Sequence, residues 1–213
     1  AKEEYEQCIK DEMHPTSEAM SMAEVIRTVN EITKGDAVIV TDVGQHQMVA
    51  CRYAKFNQTR SNVTSGGLGT MGFALPAAIG AKFGALDRTV IAVIGDGGIQ
   101  MTLQEFGTIM QTGIEVKVMI LNNEFLGMVR QWQQLFMDKR YSFVDIASPD
   151  YVMLANSYKI AAAKVSKREE LEAAVAKMLA HKGSYVLEVM VGKENNVFPM
   201  VPQGCSVSEI RLK

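Results

Sequence analysis

Two short apolar runs, VIAVI at 90–94 and VKVMIL at 116–121, constrain this chain more than anything else in it. Each is rich in β-branched residues, is bounded by turn-forming residues, and reads as a buried strand. Between them lies Gly95-Asp96-Gly97, followed by Thr102 and Glu105 at capping-box spacing. Leu103, Phe106, Ile109 and Met110 then supply one apolar helical face, and Gly113 a stop. Strand, helix and strand in this order predict a crossover joining two parallel strands of one sheet. Parallel strands end on the same edge, so Asp96 and Asn123 are delivered to one rim. That rim is where open α/β sheets bind ligands.

Oxygen donors at such a rim suit a hard cation such as Mg2+, which shares its octahedron with phosphate oxygens and water. Glycines on both sides of Asp96 let backbone amides approach a diphosphate, whose charge a helix N-terminus favours. The plain alternative is a βαβ unit with an aspartate in a turn and an asparagine at a helix cap. The whole pattern, GDG followed by 24 residues and then NN, resembles the thiamine-diphosphate signature of the thiamine-dependent enzymes.

The 213 residues, 47% hydrophobic and 22% charged, are enough to bury a core and argue against disorder. A net charge of -2 leaves no basic footprint for nucleic acid. No run is long enough for a membrane span. Cys8, Cys51 and Cys205 are far apart with no CxxC, which predicts reduced thiols in the cytoplasm rather than a disulfide framework or zinc site. The chain starts AKEEYEQ, which suggests a piece of something longer, although processing could produce the same start.

Residues 1–16 are polar, with Pro15 as a breaker, and read as an arm or linker remnant. Residues 17–194 form the candidate binding domain and 195–213 a tail. Ser21 with Glu24 predicts a capped helix ending at Lys34-Gly35, and DAVIVT at 36–41 a first strand. His46 follows that strand; by itself it reads as a hydrogen-bonded residue at a helix start, but its rim position favours a functional role. Gly67, Gly69 and Gly72 satisfy GxGxxG, yet polar residues at 57–64 precede it and no acid closes the next strand, so a dinucleotide site is disfavoured. Trp132, the only tryptophan, is expected to be buried. Further along, 160–165 reads as a strand, Ser166 with Glu169 as a third capping box, and 185–191 as the last strand. The fold class expected is therefore a doubly wound α/β domain, mainly parallel, with helices on both faces.

Four segments together resemble the C-terminal domain of the catalytic subunit of acetohydroxyacid (acetolactate) synthases: VGQHQM at 43–48, TSGGLGTMGFALPAA at 64–78, the GDG…NN unit, and LGMVRQW at 126–132. The tail VFPMVPQG at 197–204 resembles that family's end. Val49, where the family usually carries Trp, and Ala74, where it usually carries Gly, depart from the pattern and leave substrate preference open. The resemblance implies Mg2+ held by Asp96, Asn123 and the Phe125 carbonyl. It implies diphosphate contacts from Gln45, His46, Gly97 and Gly98, and a Gly69 carbonyl accepting from the aminopyrimidine. Met71 would wedge beneath the cofactor's bend, Gly127, Met128 and Val129 would line the cofactor, and Trp132 a substrate channel. An unbranched apolar wedge that enforces the bend brings the cofactor's own imino nitrogen close to its reactive carbon.

The implied reaction decarboxylates one 2-oxo acid and joins the fragment to a second, in branched-chain amino acid biosynthesis. The family's catalytic glutamate belongs to a pyrimidine-binding domain of a neighbouring subunit, and its FAD to a middle domain. No segment of this chain resembles either, so the chain is expected to hold half a site and to be inactive alone. A homodimer or higher oligomer is implied, and a regulatory small subunit is left open. Alternatives within thiamine enzymes are an oxidase, a 2-oxoacid decarboxylase, a glyoxylate carboligase or a split oxidoreductase β subunit; a non-catalytic binding module is the alternative outside them.

Overall fold

The computed structural model describes residues 2–212. Helices α1 (Lys2–Met13) and α2 (Met22–Thr33) lead into β1 (Val38–Thr41), α3 (Gln45–Tyr53) and the short strand β2 (Asn62–Thr64). Then come α4 (Ala74–Gly84), β3 (Val90–Gly95), α5 (Asp96–Thr102), α6 (Phe106–Thr112) and β4 (Lys117–Asn122). The chain continues through α7 (Gly127–Phe136), α8 (Tyr151–Ser157), β5 (Ala161–Val165), α9 (Arg168–Ala180) and β6 (Tyr185–Met190). The six strands lie in the order β2-β1-β3-β4-β6-β5, and every pairing is parallel.

Alternation along each strand feeds two separate cores, as expected when both faces of a parallel sheet are covered. Ile39, Ile91, Val93, Met119 and Leu121 face α2, α3 and α9. Val40, Ala92, Ile94, Val118 and Ile120 face the other way, with Leu75 of α4, Phe106 of α6 and Tyr151 of α8. Each of these larger side chains adds about 1.5–3 kcal/mol on burial. The doubly wound α/β architecture expected from the sequence is the one found. No helix among the described residues is long and apolar enough to cross a membrane.

Several local expectations are corrected. Thr102 and Glu105 form no capping box: the helix begins at Asp96 and breaks at 103–105 into a 3-10 turn. The Thr102 hydroxyl donates instead to the Gly72 carbonyl at 3.0 Å, and Glu105 accepts from Thr108. Ser21 does cap α2, accepting from the Glu24 amide, but the Glu24 carboxylate pairs with Arg168 of α9 at 2.8 Å and completes no box. Nor does Ser166 cap α9, whose N-cap is Lys167 without a side-chain bond. For Thr102 and Glu24 a tertiary partner outcompetes a local bond of about 1 kcal/mol. Residues 62–64, within the polar stretch 57–64, form the edge strand β2, and the polar segment before Pro15, read as an arm or linker remnant, is helical, with Cys8 buried.

Candidate cofactor site

Strand order reverses at β1 and β3: the chain leaves β1 for β2 on one side and returns to β3 on the other. A crevice therefore opens between the carboxyl ends of β1 and β3. His46, on the first turn of α3, fills its floor. The ring lies so close to Gly44 and Gly95 that a Cβ on either would approach it to 3.0 Å. Burial alone pushes the His46 pKa down to about 4, and its Nε2 has no hydrogen-bond partner among the described residues. A buried ring nitrogen without a partner is costly.

Across the crevice, the Asp96 carboxylate is 1% exposed. Burial raises its pKa to about 6, opposed by backbone amides and by Ser148, whose hydroxyl donates at 3.4 Å. Tyr151 donates to the Asp96 carbonyl at 2.8 Å and anchors the start of α5. Asp96 forms no ion pair among the described residues. Asn123 follows β4 on the same rim, with Oδ1 accepting from the Phe125 amide at 3.3 Å. The Phe125 carbonyl accepts no hydrogen bond among the described residues. One carboxylate, one amide oxygen and one free carbonyl are a donor set for a hard cation that takes its remaining oxygens from phosphate and water. No group of three or more His, Cys, Asp or Glu that could hold a metal occurs among the described residues.

Two glycines exist for close packing within the site. A Cβ on Gly98 would lie 1.8 Å from the Asp42 carboxylate, and one on Gly127 would lie 2.1 Å from Gln45 Oε1. Asp42, just past β1, accepts from the Gly72 and Ala74 amides, both at 3.1 Å, and burial holds its pKa above the ordinary carboxylate range. It thereby ties the 65–73 loop to α5. Gln45 donates to Gln131 Oε1 and the Asn195 carbonyl, both at 3.0 Å, and its oxygen accepts from Asn123 at 3.3 Å. The Gln45 side chain is therefore committed to neighbouring protein groups.

These walls enclose about 240 Å³, lined by Gln45, His46, Gly69, Met71, Asp96, Gly97, Gly98, Asn123, Phe125, Gly127, Met128 and Val129. Residues 42–189 match the family model for the thiamine pyrophosphate enzyme C-terminal TPP binding domain. The chain belongs to that family. It is 40% identical over 201 residues to the acetolactate synthase isozyme 2 large subunit of Escherichia coli (strain K12), covering 94% of this chain and 36% of that protein. It is 42% identical over 193 residues to the chloroplastic acetolactate synthase 1 of Nicotiana tabacum, covering 87% of this chain and 29% of the relative. A solved structure of a thiamine diphosphate-dependent 4-hydroxybenzoylformate decarboxylase from Rhodococcus jostii RHA1 superposes with a TM-score of 0.76 at 25% identity, covering 83% of this chain and 33% of the other. The chain thus spans about a third of the length of these relatives.

Within this TPP-binding domain, twelve of the thirteen residues singled out in the sequence lie around the one cavity. Trp132 does not. It is 40% exposed, against the expectation of burial, and packs against Phe136 with ring centroids 5.0 Å apart. Val129, Trp132 and Phe136 follow at helical spacing, so an apolar stripe runs along α7 away from the cavity wall. The buried members of α7 are Arg130 and Gln131. Asp42, Val43, Gly44, Met22 and Leu126 also shape the site and were not recognised as site residues. Asp42 had a usable signal, since it is an acid placed directly at the end of a strand on the binding rim.

Proposed function

We propose that this domain holds the diphosphate of thiamine diphosphate through Mg2+, as the cofactor-binding third of an acetolactate synthase-type enzyme acting on 2-oxo acids. One observation carries the reading: the buried Asp96 carboxylate, which forms no ion pair among the described residues, the Asn123 amide and the His46 ring line one glycine-walled crevice. Asp96, Asn123 and the Phe125 carbonyl would take the metal. The Gly97 and Gly98 amides and His46 would meet phosphate oxygens. Gln45 would act mainly by holding Asn123 in place. Met71, whose Cε lies 3.5 Å from where a Gly97 Cβ would be, supplies the apolar floor on which the cofactor is held in shape. When bound, thiamine diphosphate supplies a thiazolium that serves as electron sink for decarboxylation of a 2-oxo acid.

No glutamate lines the cavity, so the acid that activates the cofactor's pyrimidine would come from the part of the enzyme lying outside this chain. The identity of 40–43% to acetolactate synthases favours condensation of two 2-oxo acids over simple decarboxylation. Calorimetric titration of thiamine diphosphate with Mg2+ tests the binding: saturable, metal-dependent uptake is expected, and Asp96→Ala should abolish it. Equal binding without metal, or by the variant, would refute the metal assignment. Acetolactate formation from pyruvate by the chain alone would refute the half-site.

A further inference from the structure

We propose that Glu188, which lies outside the cavity, is a positioning residue that sets the loop carrying Asn123 and Phe125. The inference rests on the metal reading above and extends it to a residue that contacts neither cofactor nor metal. Glu188 sits in β6, 2% exposed, opposite Ile120 of β4 and Lys164 of β5. A carboxylate at such depth is costly unless it is paired and hydrogen-bonded. Lys164 reaches it from the edge side, Nζ to Oε1 at 3.0 Å. From the central side Asn122 Nδ2 donates to the same oxygen at 2.8 Å.

The second bond transmits orientation. A carboxylate only accepts, so Asn122 must turn its NH2 toward Glu188 and its carbonyl oxygen away. That oxygen accepts from the Glu124 backbone amide at 2.9 Å, closing a turn of the kind asparagine favours. Glu124 is thereby held at φ +59°, a left-handed conformation that a non-glycine residue adopts only when its surroundings require it. From there the chain is pinned on the far side, with Ile146 N donating to the Glu124 carbonyl at 3.0 Å and Leu126 N to the Val144 carbonyl at 2.8 Å. Asn123 and Phe125 flank Glu124, so the direction of both oxygen donors depends on this turn. Glutamine would keep its oxygen toward the donor-only Lys164 and so toward Asn122; leucine in place of Glu188 removes the acceptor, and Asn122 would no longer have one forced orientation.

The test is Mg2+ affinity at saturating thiamine diphosphate, measured by calorimetry on the chain. Outer partners of metal ligands typically change affinity about 10- to 100-fold. Glu188→Leu is expected to weaken Mg2+ about 10-fold, Asn122→Ser to do the same, and the double variant to be no worse than either single. A merely structural role would lower the urea midpoint, leave the metal affinity of the folded protein unchanged, and make the two effects additive; that result overturns the proposal. Should Glu188→Leu fail to fold, Asn122→Ser tests the same hydrogen bond from its other end, and unchanged Mg2+ affinity there is equally decisive against it. A wild-type chain that binds cofactor without any metal dependence would instead overturn the metal reading itself.

Discussion

Alanine at Gly98 is expected to destabilise the domain by about 3 kcal/mol, although helix propensity predicts the opposite sign. Gly98 lies within α5, where replacing glycine by alanine ordinarily gains about 1 kcal/mol. The new Cβ, however, would stand 1.8 Å from Asp42 Oδ2 and 3.0 Å from its Cγ. Asp42 is short, fully buried, and held by the Gly72 and Ala74 amides, so it cannot turn aside without leaving two amides and a carboxylate unsatisfied. Urea unfolding of Gly98→Ala, Asp42→Ala and the double variant separates the causes. In the Asp42→Ala background the penalty of Gly98→Ala should fall below about 1 kcal/mol. A neutral or stabilising Gly98→Ala would remove the claim that Asp42 and Gly98 are packed against each other. The contact at Gly127 is comparable: a Cβ there would stand 2.1 Å from Gln45 Oε1 and 3.0 Å from Asn123 Nδ2, two groups bonded to each other.

The second large effect concerns pH. His46 is held neutral by burial, its pKa lowered from 6.5 to about 4. The folded state therefore binds fewer protons than the unfolded state across this window. The stability contributed by neutral His46 is fully present above pH 6.5 and is lost as pH falls toward 4, amounting to about 3 kcal/mol. Asp96 works in the other direction. Its carboxyl is raised from 3.8 to about 6, so its contribution is present below 3.8 and lost as pH rises through about 6. The two act in opposite directions in the metal-free protein, so neither is read from the overall profile alone. The measurement is the stability difference between His46→Gln and the unsubstituted protein, taken from pH 7 to pH 4. The variant should gain about 3 kcal/mol relative to its parent over that range. A difference independent of pH would mean that His46 is not held neutral by burial, and the crevice floor would need another explanation.

Much of this site was legible in the residues alone because its scaffolding is encoded locally. VIAVI and VKVMIL are continuous apolar runs, and only strands covered on both faces use such runs in a parallel sheet. Once they are parallel neighbours, Asp96 and Asn123 must share a rim, whatever the rest of the chain does. Gly113, at φ +67°, ends α6 where its position implied. The glycines at 95, 97 and 98 announced close approach, although the sequence could not show that His46 and Asp42 are what approaches two of them.

What remained hidden was every choice of partner. Ser21, Thr102 and Ser166 each stand three residues before a glutamate, yet only Ser21 caps, and none of the three glutamates answers. Glu24 pairs with a residue 144 positions away, and Thr102 with one 30 positions away. Trp132 lies on an outward stripe because α7 turns Arg130 and Gln131 inward, where Arg130 stacks between the Phe125 and Tyr141 rings and Gln131 bonds the Val197 backbone. Periodicity, apolar runs and glycine placement are properties of neighbouring residues, so the sequence by itself determined the strands, the parallel crossover and the rim that carries the site. A hydrogen bond or ion pair goes to whichever partner the packed chain brings within about 3 Å, and that only the tertiary structure decided: Asp42 against Gly98, Gln45 against Asn123, and Glu188 behind the metal loop.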